Sequence, residues 1–304
     1  MVDAPDPERR LELVAALATR VASTEGLERR IRVALELLDT TLGYDHTMLL
    51  VPDGTERLVM LSCRGYPSGG TGAELRLGEG PIGVAAERRV PVTLANLPLG
   101  FRLMRSVQGQ IAAEETRILL PGLVDASSAI AVPAVDGAEL VLVLYAEDTA
   151  AGRYGALDAS VLQIVANQLA AHVHAEEDEP VEPPAVTLPG PYAIVARYFD
   201  EDGSVFFGND YVIKSLPGRI LWKLLREYLS TGRTEFTKKE LRLDASLGLP
   251  PVRDNLDTRL ILLRRRLEER FPFVRVEAAG RGRLRLRVEG ELRLEVHPCL
   301  PRSG

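Results

Sequence analysis

The sequence predicts an α+β protein: an antiparallel sheet flanked by helices, then a linker, then a small second domain of short strands and helices. Three observations carry this. The chain has 304 residues, better divided between two cores than gathered in one. Its charge is lopsided, with 15 Lys+Arg against 27 Asp+Glu in residues 1–184 and 22 against 16 in residues 185–304. Between the halves, "EEDEPVEPPAVTLPG" (Glu176 to Gly190) is acidic and proline-rich with no apolar period, as expected of a linker. The expected domains are 1–175 and 191–304, joined by 176–190.

Composition sets limits. Apolar residues make up 46% and charged residues 26%, ordinary for a globular chain. Cys63 and Cys299 match no metal spacing and form no disulfide framework, which fits a reducing compartment. No apolar run approaches the roughly 20 residues that span a bilayer, and "MVDAPDPERR" has no signal-peptide core. The expectation is a cytoplasmic protein without a membrane partner.

Residues 7–42 read as two helices broken at "STEG". Leu27, Ile31, Ala34, Leu35 and Leu38 recur at helical spacing, and Gly43 is placed to end that helix. Residues 46–52 and 57–63 read as strands around "PDGTE", and 73–77 as a short one. "GEGPIGVAAERR" puts a proline just inside a helix start, with a strand at 90–94 to follow. "SSAIAVPAVDGAELVLVLYAED" reads as two strands around Asp136-Gly137. Leu157, Val161, Ile164, Val165, Leu169 and Val173 mark an amphipathic closing helix. Residues 95–125 form the irregular part, expected as a lid or binding loop.

Past the linker, short strands are expected around the turns Asp202-Gly203 and Gly208-Asn209. A helix follows over "PGRILWKLLREYLSTGR", and a second over "TKKELR" with Thr237 as N-cap and Glu240 three residues on. After the loop "GLPPVR" a third helix is expected from about Asp254 to Arg270, with Leu256, Leu260, Leu263 and Leu267 facing inward. A hairpin then crosses Gly280 to Gly282.

The first half resembles a GAF domain over about 10–175. The resemblance rests on "LGEGPIGVAAERRVPVTLANL", the late strand pair "SSAIAVPAVDGAELVLVLYAED", and the closing helix "YGALDASVLQIVANQLAAHV". It implies a sensory domain for a small-molecule or protein ligand, pairing as a homodimer through its terminal helices. The pocket would lie between sheet and lid, lined by Cys63, Phe101, Met104, Val107 and Ile111, though the last four share one helical face, a stripe that more often forms core than a ligand wall. The second half resembles the winged-helix output domain of OmpR-type regulators over about 191–290, with "DNLDTRLILLRRRLEER" in the place of the recognition helix and "VRVEAAGRGRLRLRV" in that of the wing. It departs from that family at "LDASLGLPPV" and lacks the usual aromatic after the wing glycine. The resemblance implies duplex DNA as partner.

The candidate DNA-binding residues are Arg259, Arg264, Arg265, Arg266 and Arg270 on the third helix and Arg281, Arg283 and Arg285 on the hairpin. An arginine fork matches guanine edges and phosphate oxygens, and alternate strand residues share a face. Such basic faces are also often plain solvated surface. No catalytic residue, metal ligand or cofactor is expected. His172 and His174 lie two apart, which does not put them on one helical face. "GEGPIG" lacks the lysine and Ser/Thr of a phosphate loop. The axial histidine or anchoring cysteine of a tetrapyrrole pocket and the cyclic-nucleotide pattern are also not met. The rival to a DNA-binding regulator is a non-enzymatic adaptor whose two domains both bind proteins.

Overall fold

The computed structural model describes residues 7–54, 56–67, 69–97, 118–173, 193–249 and 256–297. Contacts divide the chain into two compact units, Met1–Ala175 and Glu176–Gly304.

The first unit opens with α1 (Pro7–Ala22) and α2 (Leu27–Leu42). Gly43 ends α2 at φ 70°, where its amide donates to Asp39 O and that of Tyr44 to Leu38 O. The Gly43–Asp39 bond is that of the αL C-cap, a conformation that a residue with a Cβ adopts only under strain. Next come β1 (His46–Pro52), β2 (Arg57–Arg64), β3 (Glu74–Arg76), α3 (Gly80–Arg88), β4 (Val92–Leu94), β5 (Ser128–Asp136), β6 (Glu139–Asp148) and α4 (Ala156–Val173). The six strands form one antiparallel sheet ordered β3-β2-β1-β6-β5-β4.

Both faces of that sheet are covered, so its central strands are buried along their length rather than alternately. Helices α2 and α4 pack against it, with α1 laid on both helices. On the other face, α3 contributes Ile82, Ala85 and Ala86, and residues 118–123 contribute Ile118, Leu120 and Leu123. They close over Met48, Leu50, Leu58, Met60, Val143 and Tyr145. Gly83 allows α3 its approach, since a Cβ there would lie 2.4 Å from Arg76 O. The glycines of "GEGPIG" are thus turn and packing residues.

The second unit contains β7 (Ala193–Phe199), β8 (Ser204–Phe207), β9 (Asp210–Ile213), α5 (Ser215–Thr231), β10 (Glu235–Thr237), α6 (Lys238–Leu243), a single 3-10 turn (Ala245–Leu247), α7 (Leu256–Arg270), β11 (Val274–Ala278), β12 (Arg283–Val288) and β13 (Glu291–His297). They build two sheets, β13-β7-β8-β9 and β10-β12-β11. Helix α5 lies on the first sheet, where Trp222 stacks on Tyr198 with centroids 5.0 Å apart. Three elements go beyond the sequence-based expectation: β10, the 3-10 turn and β13. Strand β13 pairs in parallel with β7 from Glu291↔Ala193 to His297↔Phe199.

Thr237 caps α6, its Oγ1 accepting from the Glu240 amide at 3.1 Å. Only half of the expected reciprocal box forms. The Glu240 carboxylate turns to the Thr237 hydroxyl and to Arg233 instead of a backbone amide.

Gly218, at the start of α5, is a close backbone crossing, because a Cβ would meet Gly203 O at 2.0 Å. Gly218→Ala should therefore destabilise the second unit by about 1–3 kcal/mol, as overpacking does. Urea denaturation followed by Trp222 fluorescence should show the midpoint fall. An unchanged midpoint would mean that the crossing relaxes without cost.

Candidate functional site

Two places carry the chemistry. The first is the face of the GAF-like sheet under α3 and residues 118–126. Glu147, 1% exposed at the end of β6, accepts from the Leu123 amide at 2.7 Å and from the Tyr145 hydroxyl at 2.8 Å. A buried carboxylate needs such donors, and here they fasten the covering segment to the sheet. His46 lies opposite Glu147 in the β1–β6 pairing and meets the Tyr66 ring edge-on at 5.4 Å. Cys63 is half-buried and packs against the same apolar cluster. Phe101, Met104, Val107 and Ile111, the other expected pocket residues, lie outside the described residues. The described part of this face is a closed, largely apolar cluster. Among the described residues no His/Cys/Asp/Glu group has the arrangement to hold a metal ion.

The second place is the arginine-rich end of the chain, where the structure corrects the expected basic helix face. Arg259 is 3% exposed and Arg264 7%, so neither stands open on α7. Arg266 is committed to the fold. Its Nε donates to Val212 O at 2.9 Å and its Nη2 to Tyr211 O at 3.1 Å, covering the outer edge of β9. Burial holds its pKa below the ordinary arginine value. Arg265 is half-buried and Arg270 exposed. The leucine stripe alone underestimates how much of α7 is covered, because Ile261 and Leu262 are buried as well. The pair "IL" between the leucines was the signal: a helix apolar on nearly every side is a core helix, and an arginine stem can be buried with it.

On the hairpin the expected alternation holds. Leu284 and Leu286 are buried, while Arg283, Arg285 and Arg287 stand on the opposite face of β12. That face carries its own counter-charges. Arg285 pairs with Glu235 of β10 at 2.8 Å and Arg287 with Glu277 of β11 at 2.7 Å. Arg281 and Arg283, at the tip, are exposed.

Carboxylates answer several other cations similarly. Asp257 takes Lys238 and Arg242. Lys223 sits between Glu227 at 2.6 Å and Asp244 at 2.7 Å. Arg233 joins Glu227 and Glu240 while covering the Phe236 ring at 4.6 Å.

With this geometry in view, residues 24–174 match the GAF domain family model, and this part of the chain is a GAF domain. Solved structures resemble it at low identity. The GAF domain of a phosphoenolpyruvate-protein phosphotransferase from Coxiella burnetii is 20% identical, with a TM-score of 0.43 over 54% of this chain and 91% of that one. The corresponding domain from Acinetobacter is 18% identical, with a TM-score of 0.44 over 56% and 96%. A free methionine-R-sulfoxide reductase from Neisseria meningitidis, in complex with its substrate, is 17% identical, with a TM-score of 0.41 over 53% and 85%. No curated protein matches the chain. No helix among the described residues is long and apolar enough to cross a membrane.

The Lys223 ammonium and the Ser246 side chain and amide bring Asp244 down to about 2. A carboxyl whose folded pKa is depressed stabilises the fold above its unfolded value of about 4 and ceases to do so as pH falls through the folded value. The second unit should therefore lose stability between about pH 4 and pH 2, and Asp244→Asn should flatten that slope. Urea midpoints across this range, read on Trp222, test it. Equal slopes in parent and variant would remove Asp244 from the account.

Proposed function

We propose that the chain is a cytoplasmic, non-enzymatic regulator. Its GAF domain binds a small molecule or a protein partner, and its second unit is a winged-helix output that meets duplex DNA through the wing. The observation that carries the output reading is the element order α5–β10–α6–α7–β11–β12, closed by the β10-β12-β11 sheet with Arg281 and Arg283 exposed at its hairpin tip. A glycine on either side of Arg281 lets the backbone come close to a phosphate. In this reading α7 holds the wing in place, and the contacts are to phosphates, which position a protein without reading sequence.

A specific observation favours the rival adaptor reading. Arg259, Arg264 and Arg266 are turned to the fold, and Arg285 and Arg287 to carboxylates, so the unit presents fewer open arginines than expected and a surface that a protein could also dock on. Salt separates the two. Each phosphate neutralised on duplex DNA contributes about 0.9 to the slope of log K against log salt. Arg281→Ala with Arg283→Ala should weaken binding to every duplex alike and reduce that slope by about two units. If the parent chain binds no duplex at low salt, or the double variant binds as the parent does, the adaptor reading takes over.

We also propose that the protein is a homodimer joined through α1 and α4. Leu11, Leu157 and Ile164 support this, since all three are large, apolar and exposed on those helices. Leu157→Glu with Ile164→Glu should shift the sedimenting species from dimer to monomer at about ten micromolar, a concentration at which micromolar dimers persist. A parent chain that is already monomeric there would overturn the proposal.

A further inference from the structure

Helix α1 precedes the residues matched by the GAF model, and one buried carboxylate ties its start to the domain. Asp158, in the first turn of α4, is 5% exposed. Its Oδ2 accepts from the Gly155 amide at 2.8 Å. Its Oδ1 faces three donors: Arg10 Nη2, the Tyr44 hydroxyl at 2.8 Å, and Arg153 Nη1 at 3.4 Å. A carboxylate oxygen has two lone pairs, so three donors cannot all be well served, and Arg153 is the one held off. The two guanidiniums flank one ring, with Arg10 5.8 Å and Arg153 5.4 Å from the Tyr44 centroid. Arg10 is nearly enclosed, whereas Arg153 keeps 28% of its side chain in solvent. Arg153 is also held near by Gly43 O at 3.2 Å and by Asp148, the last residue of β6, at 3.8 Å.

We propose that Arg10 and Arg153 are alternative partners of Asp158 Oδ1, and that their exchange is the step by which α1 leaves and rejoins the GAF domain. Removing one member of a buried ion pair is costly because the other is left uncompensated. With Arg153 waiting, the departure of Arg10 leaves no such charge. Arg153 has to close from 3.4 Å to the roughly 2.8 Å of a charge-assisted bond. The middle of α1 is held by apolar contacts of Val14, Leu17 and Val21 and by Gln168, which donates to Ala18 O at 2.6 Å. Its far end stays attached, because Arg30 of α2 donates to Val21 O and Ala22 O. The hinge therefore falls in Ser23–Gly26, where Gly26 takes φ 80°. The exchange does not depend on what the GAF domain binds or on what the second unit does.

Hydrogen exchange on the full-length chain, read in peptides covering residues 7–22, tests the proposal by sign. Arg10→Gln should speed exchange there by about tenfold or more, since amide protection follows the docking equilibrium. Arg153→Gln should slow it by about threefold or more, because the undocked state relies on Arg153 as the ion partner of Asp158, whereas the docked state has Arg10 beside it and holds Arg153 only at 3.4 Å. Protection of β5 and β6 should be unchanged in both. Unchanged or faster exchange of 7–22 in Arg153→Gln would overturn the idea, since Arg153 would then only support the docked state. If Arg153→Gln loses protection throughout β5 and β6, Arg153→Lys decides by the same sign. Its ammonium lacks the two separate nitrogens with which Arg153 reaches Asp158 and Gly43 O, so slower exchange supports the proposal and unchanged or faster exchange rejects it.

Discussion

Strand β6 lies between β1 and β5, and almost none of it meets water on either face. That double burial is the constraint on which the first unit rests. A sheet covered on one side can give its other face polar residues. This one spends Met48, Leu50, Val143 and Tyr145 on one face and has helices α2 and α4 on the other. The two carboxylates that remain inside, Glu147 and Asp158, are satisfied locally. Each sits near an end of the β6–α4 passage, one joined to the covering segment through Leu123 and the other to α1 through Arg10. The carboxylates thus stand where separate pieces of chain converge on the same sheet.

The second unit solves a different problem. It must fold a stretch dense in arginine without a core of like charges. Its solution is pairing by register. β12 is flanked by β10 and β11, and each neighbour brings a glutamate opposite an arginine, Glu235↔Arg285 and Glu277↔Arg285 in the pairing. Arg285 takes Glu235, which leaves Glu277 for Arg287. Cross-strand opposite charges contribute a few tenths to about 1 kcal/mol each, so the pattern matters more for specifying alignment than for stability. A slip of one residue would place arginines on the leucine side of the hairpin.

The sequence made legible what short-range rules govern. The break at "STEG", the stop at Gly43, the Thr237 cap and the in-out alternation from Arg283 to Val288 are each decided within a few residues. Two of the three elements it left unread depend on partners far along the chain. β10 is three residues long and exists because β12 is beside it. β13 reads "ELRLEVH", whose Leu292, Leu294 and Val296 alternate visibly, yet the strand needs β7 to pair with. The arginines of α7 were misplaced for a related reason: a helical wheel assigns angles but cannot say how much of the circumference will be covered. Tertiary packing covers Ile261 and Leu262 as well as the leucine stripe, and the stems of Arg259 and Arg264 go in with them. Of the GAF face, the closing helix and the late strand pair were readable. The buried Glu147 was not, because nothing around "YAED" distinguishes a carboxylate inside from one in water.

The parallel pairing of β13 with β7 has a consequence for how the protein is made. The strand that opens the second unit pairs with the strand that closes it, about a hundred residues later. Such pairings carry the largest loop-closure cost and form late. On the ribosome, β7 can form its hairpin with β8 as soon as both emerge, but one of its edges must wait until Glu291–His297 has been translated. During that interval an unprotected strand edge is displayed beside Tyr198 and Phe199, the kind of template that invites misassociation. A nascent chain that pauses before Glu291 is therefore more hazardous than one that pauses in the linker, and β13 acts as the seal that ends the exposure.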